Sequence, residues 1–174
     1  MQLDIQQSID ILKRTPIVVE SMLLHLPDHL IRANEGPETW SPYDVVGHFI
    51  ICEKTDWMPR MKIILSDAKE KVFGPFDRFA QFNEDQTRPL AVLLDEFKML
   101  RSQNLEEVQA MQIGDEQLSM TALHPALGPV TLSQLIASWT AHDLGHIAQI
   151  SRVLAKQYTA EVGPWKAYLS ILGK

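Results

Sequence analysis

The amino-acid sequence predicts an all-α protein, a four-helix bundle with a short helix at its C-terminus. Four long segments repeat their apolar residues at helical spacing, and no convincing run of strands interrupts them. The 174 residues can bury one sizeable core, and no fixed-period repeat, low-complexity tract or linker divides them. We therefore expect one domain over residues 1–174, with antiparallel helices around a shared core.

The composition argues against several classes of protein. Apolar residues make up 45% and charged residues 22% of the chain, as in ordinary globular domains. A net charge of −6 argues against non-specific binding to nucleic acid or to an anionic membrane. The single cysteine, Cys52, excludes an internal disulfide and a Cys-rich zinc module. Because we find neither a signal peptide nor an apolar run of roughly 20 residues, we expect a cytoplasmic protein.

The first segment is predicted to be an amphipathic helix that restarts or kinks halfway. Thr15 and Pro16 resemble an N-cap followed by a proline at the first helical position. The apolar pattern then continues to Leu23. Residues 29–37 lack periodicity and contain turn-forming residues, so they are predicted to form a loop.

The second segment has a strong helix start at Ser41, with Pro42 in the first turn and Asp44 in the capping-box position. Pro59 lies inside the apolar pattern and should kink or break this helix near residues 55–57, because proline lacks an N–H. Residues 69–86 show no period and carry four phenylalanines. They are predicted to form a long connection held in place by aromatic side chains.

The third helix is predicted to start at Thr87 as its N-cap and to run from residue 88 to about residue 111, where Gly114 stops it. The stretch that follows contains two prolines. It is expected to form either a short hairpin or an irregular connection.

The fourth helix spans residues 131–158 in this interpretation, with Thr131 and Gln134 as its capping box. Gly163 and Pro164 then separate it from a short amphipathic tail. On a helical wheel with Leu135 at zero, His142 lies at about 340° and His146 at about 20°. Both histidines therefore face the packed side of the helix, where two imidazoles one turn apart can reach a common point.

A convergent pair of histidines is half of a metal site, because neutral imidazole is the commonest metal ligand. His48, in the first half of the second helix, can face the middle of another helix in an antiparallel bundle. His48, His142 and His146 would give three nitrogen ligands, the number typical of catalytic sites with open positions. The alternative is three bundle histidines satisfied by hydrogen bonds to carboxylates or water.

The remaining histidines are weaker candidates. His25 and His29 share the same spacing, but Pro27 lies between them at a helix end, so a common ligand geometry is not expected. His124, beside Pro125, is interpreted as an exposed or locally hydrogen-bonding residue, with a place in a pocket wall left open.

Three stretches together resemble one protein family. They are WSPYDVVGHFIICEKTDW, then HPALGPVTLSQLIASWTAHDLGHIAQISRVL, then VGPW. In this order they are similar to the DinB-like (DinB/YfiT) superfamily of small metal-binding four-helix proteins, over almost the whole chain. The resemblance implies a divalent metal, nickel or zinc, bound by His48, His142 and His146, and it implies a homodimer. The acidic net charge gives no reason to expect nucleic-acid binding.

Several other residues are candidates for supporting roles. Asp143 projects about 100° from His142 and so could hold a ligand's second nitrogen rather than the metal itself. Glu53, Asp44 and Gln149 are further candidates for such outer contacts, with capping or structural roles as the simpler interpretation. Cys52 could approach the metal, but a buried inert thiol is the default. Core or pocket-wall positions are expected for Trp40, Trp57, Trp139 and Trp165.

Three functions are compatible with this sequence. The first is a metal-dependent enzyme, either a hydrolase or a thiol S-transferase, because relatives in the resembling family include transferases that use low-molecular-weight thiols. The second is a non-catalytic protein that binds a metal or a small molecule at the same three histidines. The third is an interaction bundle with a degenerate site. The substrate, the native metal, a fourth ligand and a general base are left open.

Overall fold

The computed structural model describes residues 3–173, which fold mainly into α-helices. In chain order the elements are α1 (Ile5–Leu23), α2 (Asp28–Ile31), α3 (Pro42–Thr55), α4 (Trp57–Leu65), α5 (Leu90–Ala110), α6 (Asp115–Ser119), β1 (Thr121–His124), β2 (Gly128–Thr131) and α7 (Leu132–Lys156). Short 3-10 helices occupy Ala80–Asn83, Gly163–Tyr168 and Ser170–Leu172. The predicted all-α class and four-helix bundle are confirmed, and the short C-terminal helix is present as 3-10 turns.

The four long helices α1, α3, α5 and α7 form the bundle, in which α1 lies diagonally opposite α3 and α5 lies diagonally opposite α7. Both α1 and α3 pack mainly against α5 and α7. This order requires long connections, because the chain must pass from one side of the bundle to the other. The connection from α5 to α7 contains α6 and the antiparallel hairpin β1–β2, in which Thr121 pairs with Thr131 and His124 with Gly128.

A layer of buried polar residues divides the apolar core into two clusters. One cluster holds Leu12, Leu105 and Trp139, and the other holds Val19, Phe97 and Ile150. Between them, the four bundle helices contribute the buried polar side chains Thr15, Glu53, Arg101 and Asp143, the polar layer. Buried charges persist only where they are paired. The pairing of these side chains therefore determines where along their lengths the four helices pack against one another.

Local sequence signals account for two helix starts and one break. Ser41 caps α3, and its N–H and hydroxyl donate to the Asp44 carboxylate, which completes the predicted capping box. Thr131 and Gln134 form the corresponding box for α7. The predicted break near residues 55–57 is confirmed, because α3 ends at Thr55 and α4 begins at Trp57.

Two predicted helix starts are wrong. Helix α1 begins at Ile5 after the N-cap Asp4, whose side chain accepts from the Gln6 and Gln7 N–H groups, and it continues through Pro16 without restarting at Thr15. The Leu12 carbonyl, which a proline at position 16 leaves without its helical donor, accepts a hydrogen bond from Arg101 instead. Thr87 does not cap α5, because its N–H and hydroxyl donate to Asp85 and the helix begins only at Leu90.

The connections contain more structure than the sequence predicted. The expected loop after His29 is partly the single-turn helix α2, and Gly114 is the N-cap of α6 as well as following α5. Of the two interpretations for the stretch before α7, the hairpin is correct. In the connection of residues 69–86, Phe73 is buried, but Phe79 and Phe82 are exposed, so the aromatic side chains hold it only in part. In residues 3–173, no helix combines the length and the apolar character needed to span a membrane.

Candidate metal centre

Three histidines from two helices bring their ring nitrogens together beside the polar layer. The His142 Nε2 atom lies 3.1 Å from His48 Nε2 and 3.1 Å from His146 Nε2, and the three nitrogens lie within 4.8 Å of one another. Around a cation with metal–nitrogen bonds of about 2.0–2.1 Å, neighbouring ligand nitrogens are roughly 3.0–3.4 Å apart. The donor atoms and their spacing therefore fit a divalent cation.

The local sequence explains why these rings converge. His142 and His146 are one turn apart on α7 and share its buried side. The capping box at Ser41 fixes the start of α3, and His48 follows within two turns. The ring of His48 packs against Trp40 with a centroid distance of 4.7 Å, and the ring of His142 packs edge-on against Trp57 at 5.1 Å. These aromatic contacts restrict how the imidazoles can turn.

Burial keeps two of the imidazoles neutral. It lowers the pKa of His48 to about 3, with further lowering from His146 and His142. Burial also lowers the pKa of His146 to about 4, and the His142 ring adds to the effect. A histidine binds a metal through its neutral ring, because a protonated nitrogen has no lone pair to donate. The protein thus holds these rings in the metal-binding form at neutral pH.

Two polar side chains stand behind the ring nitrogens that face away from the cluster. Gln149 Oε1 lies 2.8 Å from His146 Nδ1, which directs the Nε2 lone pair of His146 towards the other rings. Asp143 Oδ1 lies 3.6 Å from His142 Nδ1, which is longer than a hydrogen bond. Asp143 points away from the metal position, as its place on the helix predicts, and its carboxylate is fully buried.

Arg101 organises the polar layer and was missed in the sequence. Its guanidinium donates to Glu53 Oε1 at 2.7 Å, to Asp143 Oδ2 at 2.6 Å and to the Leu12 carbonyl at 2.8 Å. Burial opposes ionisation of Asp143, but Arg101 holds the pKa of this carboxyl below its ordinary value. The available signal was a charged residue between Phe97 and Leu105, in the apolar stripe of α5.

An open cleft of about 480 Å³ exposes the three-histidine cluster to solvent. Trp40 and Phe76 contribute apolar surface to its lining. The charged residues along the cleft are Glu35, Glu38, Asp56, Arg78 and Arg152. A volume of this size accommodates a small molecule next to the histidines.

Two further residues that line the cleft, Asp56 and Cys52, both have a raised pKa. Burial raises the pKa of Asp56 above its ordinary value, although the Arg60 guanidinium, 2.8 Å away, opposes the shift. The Cys52 Sγ atom lies 3.4 Å from His48 Nε2 and 3.9 Å from His142 Nε2. Burial, together with Asp56 and Glu53, raises the pKa of the Cys52 thiol, so it stays neutral and weakly reactive. No pattern in the sequence indicated a role for Asp56.

The other candidates from the sequence lie elsewhere or have structural roles. Asp44 serves the capping box of α3, and Glu53 is occupied by Arg101 and Asn104. His25 and His29 are exposed and lie outside the cluster. His124 has the expected local role, because its Nδ1 atom accepts from two N–H groups of the hairpin turn.

The four tryptophans divide between the interior and the surface. Trp57 and Trp139 are buried in the core, and Trp40 is buried in the cleft wall, as expected. Trp165 is 71% exposed, so its predicted place in the core or a pocket wall is wrong. The C-terminal 3-10 helices leave this ring on the surface because they place only Leu172 in a buried position.

The chain is similar to known proteins in sequence and in fold. A family model described as the DinB superfamily matches residues 11–150. A solved structure described as YfiT from Bacillus subtilis, a probable metal-dependent hydrolase with an unusual four-helix bundle topology, superposes with a TM-score of 0.75. The two chains are 16% identical over 88% of this chain and 87% of the other, so the likeness concerns the fold. No curated protein matches the sequence.

Proposed function

The chain belongs to the DinB superfamily, and we propose that it is a divalent-metal-dependent enzyme that acts on a small molecule. The observation that carries this proposal is the 3.1 Å spacing of the His142 Nε2 atom from each of the two other Nε2 atoms, beside an open cleft. We propose that His48, His142 and His146 bind the metal and that nickel or zinc is the native ion. A homodimer in the cytoplasm is part of the same proposal.

Hydrolysis is the reaction that we place first. A divalent cation held by three nitrogens supplies Lewis acidity at its open positions. The protein's own contribution is to hold the three imidazoles in place, with Gln149 behind His146 and the Arg101–Asp143 pair behind His142. The YfiT structure, described as a probable metal-dependent hydrolase, has a similar fold, which supports hydrolysis as the first candidate reaction.

Asp56 is the group that we assign to proton transfer. It is buried in the cleft lining, and its raised pKa favours exchange of a proton at a carboxylate oxygen. Glu35 is less suitable, because its hydrogen bonds to Arg152 and Lys156 lower its pKa, whereas burial raises the pKa of Asp56 despite Arg60. Transfer of a low-molecular-weight thiol is the second candidate reaction, since three nitrogen ligands leave room for a thiolate. A non-catalytic metal-binding protein is the alternative function.

Metal binding by the three histidines is tested by substitution. We expect zinc-reconstituted wild-type protein to retain about one metal ion per chain after dialysis. His146→Ala should lose at least tenfold in zinc affinity, because one of three nitrogen ligands is gone. His29→Ala is the matched control, since it removes an exposed histidine with the same spacing to its neighbour. Elemental analysis and competition with a chromogenic chelator measure both.

The outcomes separate the candidate functions. Equal zinc affinity in His146→Ala and His29→Ala would remove the metal proposal. With metal binding established, hydrolysis of a panel of nitrophenyl esters, and consumption of cysteine with an electrophile, are compared before and after metal removal. Metal-dependent turnover in the first assay supports a hydrolase, and turnover in the second supports a thiol transferase. Metal binding without turnover in either assay contradicts the proposal of an enzyme and favours a non-catalytic metal-binding protein.

A further inference from the structure

Arg78 is a cation of the cleft that has no carboxylate partner. No Asp or Glu oxygen among the described residues forms an ion pair with its guanidinium, whereas Arg152 pairs with Glu35 and Arg60 pairs with Asp56. An unpaired guanidinium in a cleft can bind a carboxylate or a phosphate through two parallel hydrogen bonds. Arg78 therefore differs from the other arginines around the cleft.

Aromatic side chains hold Arg78 close to the three-histidine cluster. Its guanidinium carbon lies 5.8 Å from the ring centroid of Trp40 and 5.0 Å from that of Phe79. The Trp40 ring is in turn nearly parallel to the His146 ring, with an interplanar angle of 7° and a centroid distance of 6.0 Å. The Trp40 ring thus lies between the cation and the histidines, and the part of it that lines the cleft can contact the apolar part of a ligand.

We propose that Arg78 and Trp40 form an anion subsite for the substrate. The Arg78 guanidinium binds a carboxylate or phosphate group, and the adjoining apolar part contacts Trp40 where this ring lines the cleft. The reacting bond then lies at the three-histidine cluster. The substrate class is a small organic anion with an apolar portion, and this assignment rests on the proposed function.

Binding of model anions tests the subsite. The probes are benzoate and phenyl phosphate, with benzyl alcohol as the neutral comparison, titrated into ¹⁵N-labelled protein while the Trp40 indole signal is followed. We expect Arg78→Met to weaken binding of both anions about tenfold, the effect of losing one charge-assisted interaction. Binding of the alcohol should not change. Arg78→Lys should recover part of the affinity, because it keeps the charge but loses the planar fork.

The controls separate this subsite from the metal. Arg14→Met is the matched variant, because Arg14 also lacks a carboxylate partner among the described residues but bonds to the Asp10 carbonyl outside the cleft. Each titration is run with zinc-loaded and with zinc-free protein, and zinc affinity is measured separately for each variant. Equal anion affinity of wild type and Arg78→Met in both forms overturns the subsite while leaving metal binding intact. Loss of anion affinity in Arg78→Met alone supports it, whether or not zinc binds.

Discussion

Arg101 is the residue on which the interior of the bundle depends. It is 1% exposed and connects Leu12 of α1, Glu53 of α3 and Asp143 of α7 from its own position on α5. A buried ion-pair network of this kind adds little net stability compared with apolar residues of equal volume. Removing one partner, however, leaves the other charges buried without compensation.

We expect Arg101→Met to lower the free energy of unfolding by about 3–5 kcal/mol, because Glu53 and Asp143 would remain buried without their cation. Urea denaturation followed by circular dichroism measures this loss. Arg14→Met, which removes an exposed arginine of α1, should change stability by no more than about 0.5 kcal/mol. A similar small loss for both variants would show that Arg101 is dispensable for stability.

At the scale of secondary-structure elements, an ion pair attaches the segment before α3 to α7. Arg152 donates to both oxygens of Glu35, at 2.8 Å and 3.1 Å from Nε, and Lys156 adds a contact of 3.0 Å. Five residues after Glu35, Trp40 forms part of the cleft wall. The ion pair therefore helps to hold this wall against the helix that carries His142 and His146.

The Glu35–Arg152 pair predicts a pH-dependent contribution to stability. Its hydrogen bonds lower the pKa of Glu35 from 4.5 to about 2. A carboxyl whose pKa is lowered by folding stabilises the protein above its unfolded pKa, and this stabilisation disappears as the pH falls from 4.5 to about 2. Glu35→Gln should therefore cost about 1 kcal/mol at pH 7, a small value because Arg152 is 41% exposed.

Urea unfolding at pH 7, 5, 4 and 3 measures this difference from wild type. We expect it to shrink steadily below pH 4.5. Glu161→Gln, at an exposed acid outside any ion pair of the described residues, is the control and should show little difference at any pH. A loss for Glu35→Gln that is the same at every pH would contradict a role for its charge.

At the scale of the whole molecule, a bound metal would join α3 to α7. These helices already pack together. The three histidines between them contact one another through hydrogen bonds between their Nε2 atoms. A ligand that binds only the folded state stabilises it by mass action, by about 4 kcal/mol at a free concentration of 1,000 times its Kd. The metal would therefore stabilise the folded state of the whole protein and not a single helix.

We expect saturating zinc to raise the Tm of the wild-type protein by about 10 °C, as follows from this energy for a domain of this size. Differential scanning calorimetry with and without zinc measures the shift, and chelation should reverse it. His48→Ala should lose most of the shift, whereas His25→Ala, at an exposed histidine, should retain it. An equal shift in both variants would place the stabilising zinc elsewhere on the protein.

The sequence by itself determined the features that depend on residues within a few positions of one another. The capping boxes at Ser41 and Thr131, the break before Trp57 and the facing of His142 and His146 all arise within one or two helical turns. The restart of α1 at Thr15 and the start of α5 at Thr87 were predicted wrongly, because a proline near a threonine resembles a cap whether or not a helix begins there. Metal binding by the three histidines remains a prediction.

Only the tertiary structure decided what lies around the histidines. Arg101 meets Glu53 and Asp143, which are 48 and 42 residues away in the chain, and Arg78 and Asp56 enter the cleft from different connections. His48 reaches His142 across 94 residues, an approach that helical spacing alone could not specify. Such contacts depend on how helices cross and on which side chains are excluded from water, and these quantities belong to the packed bundle.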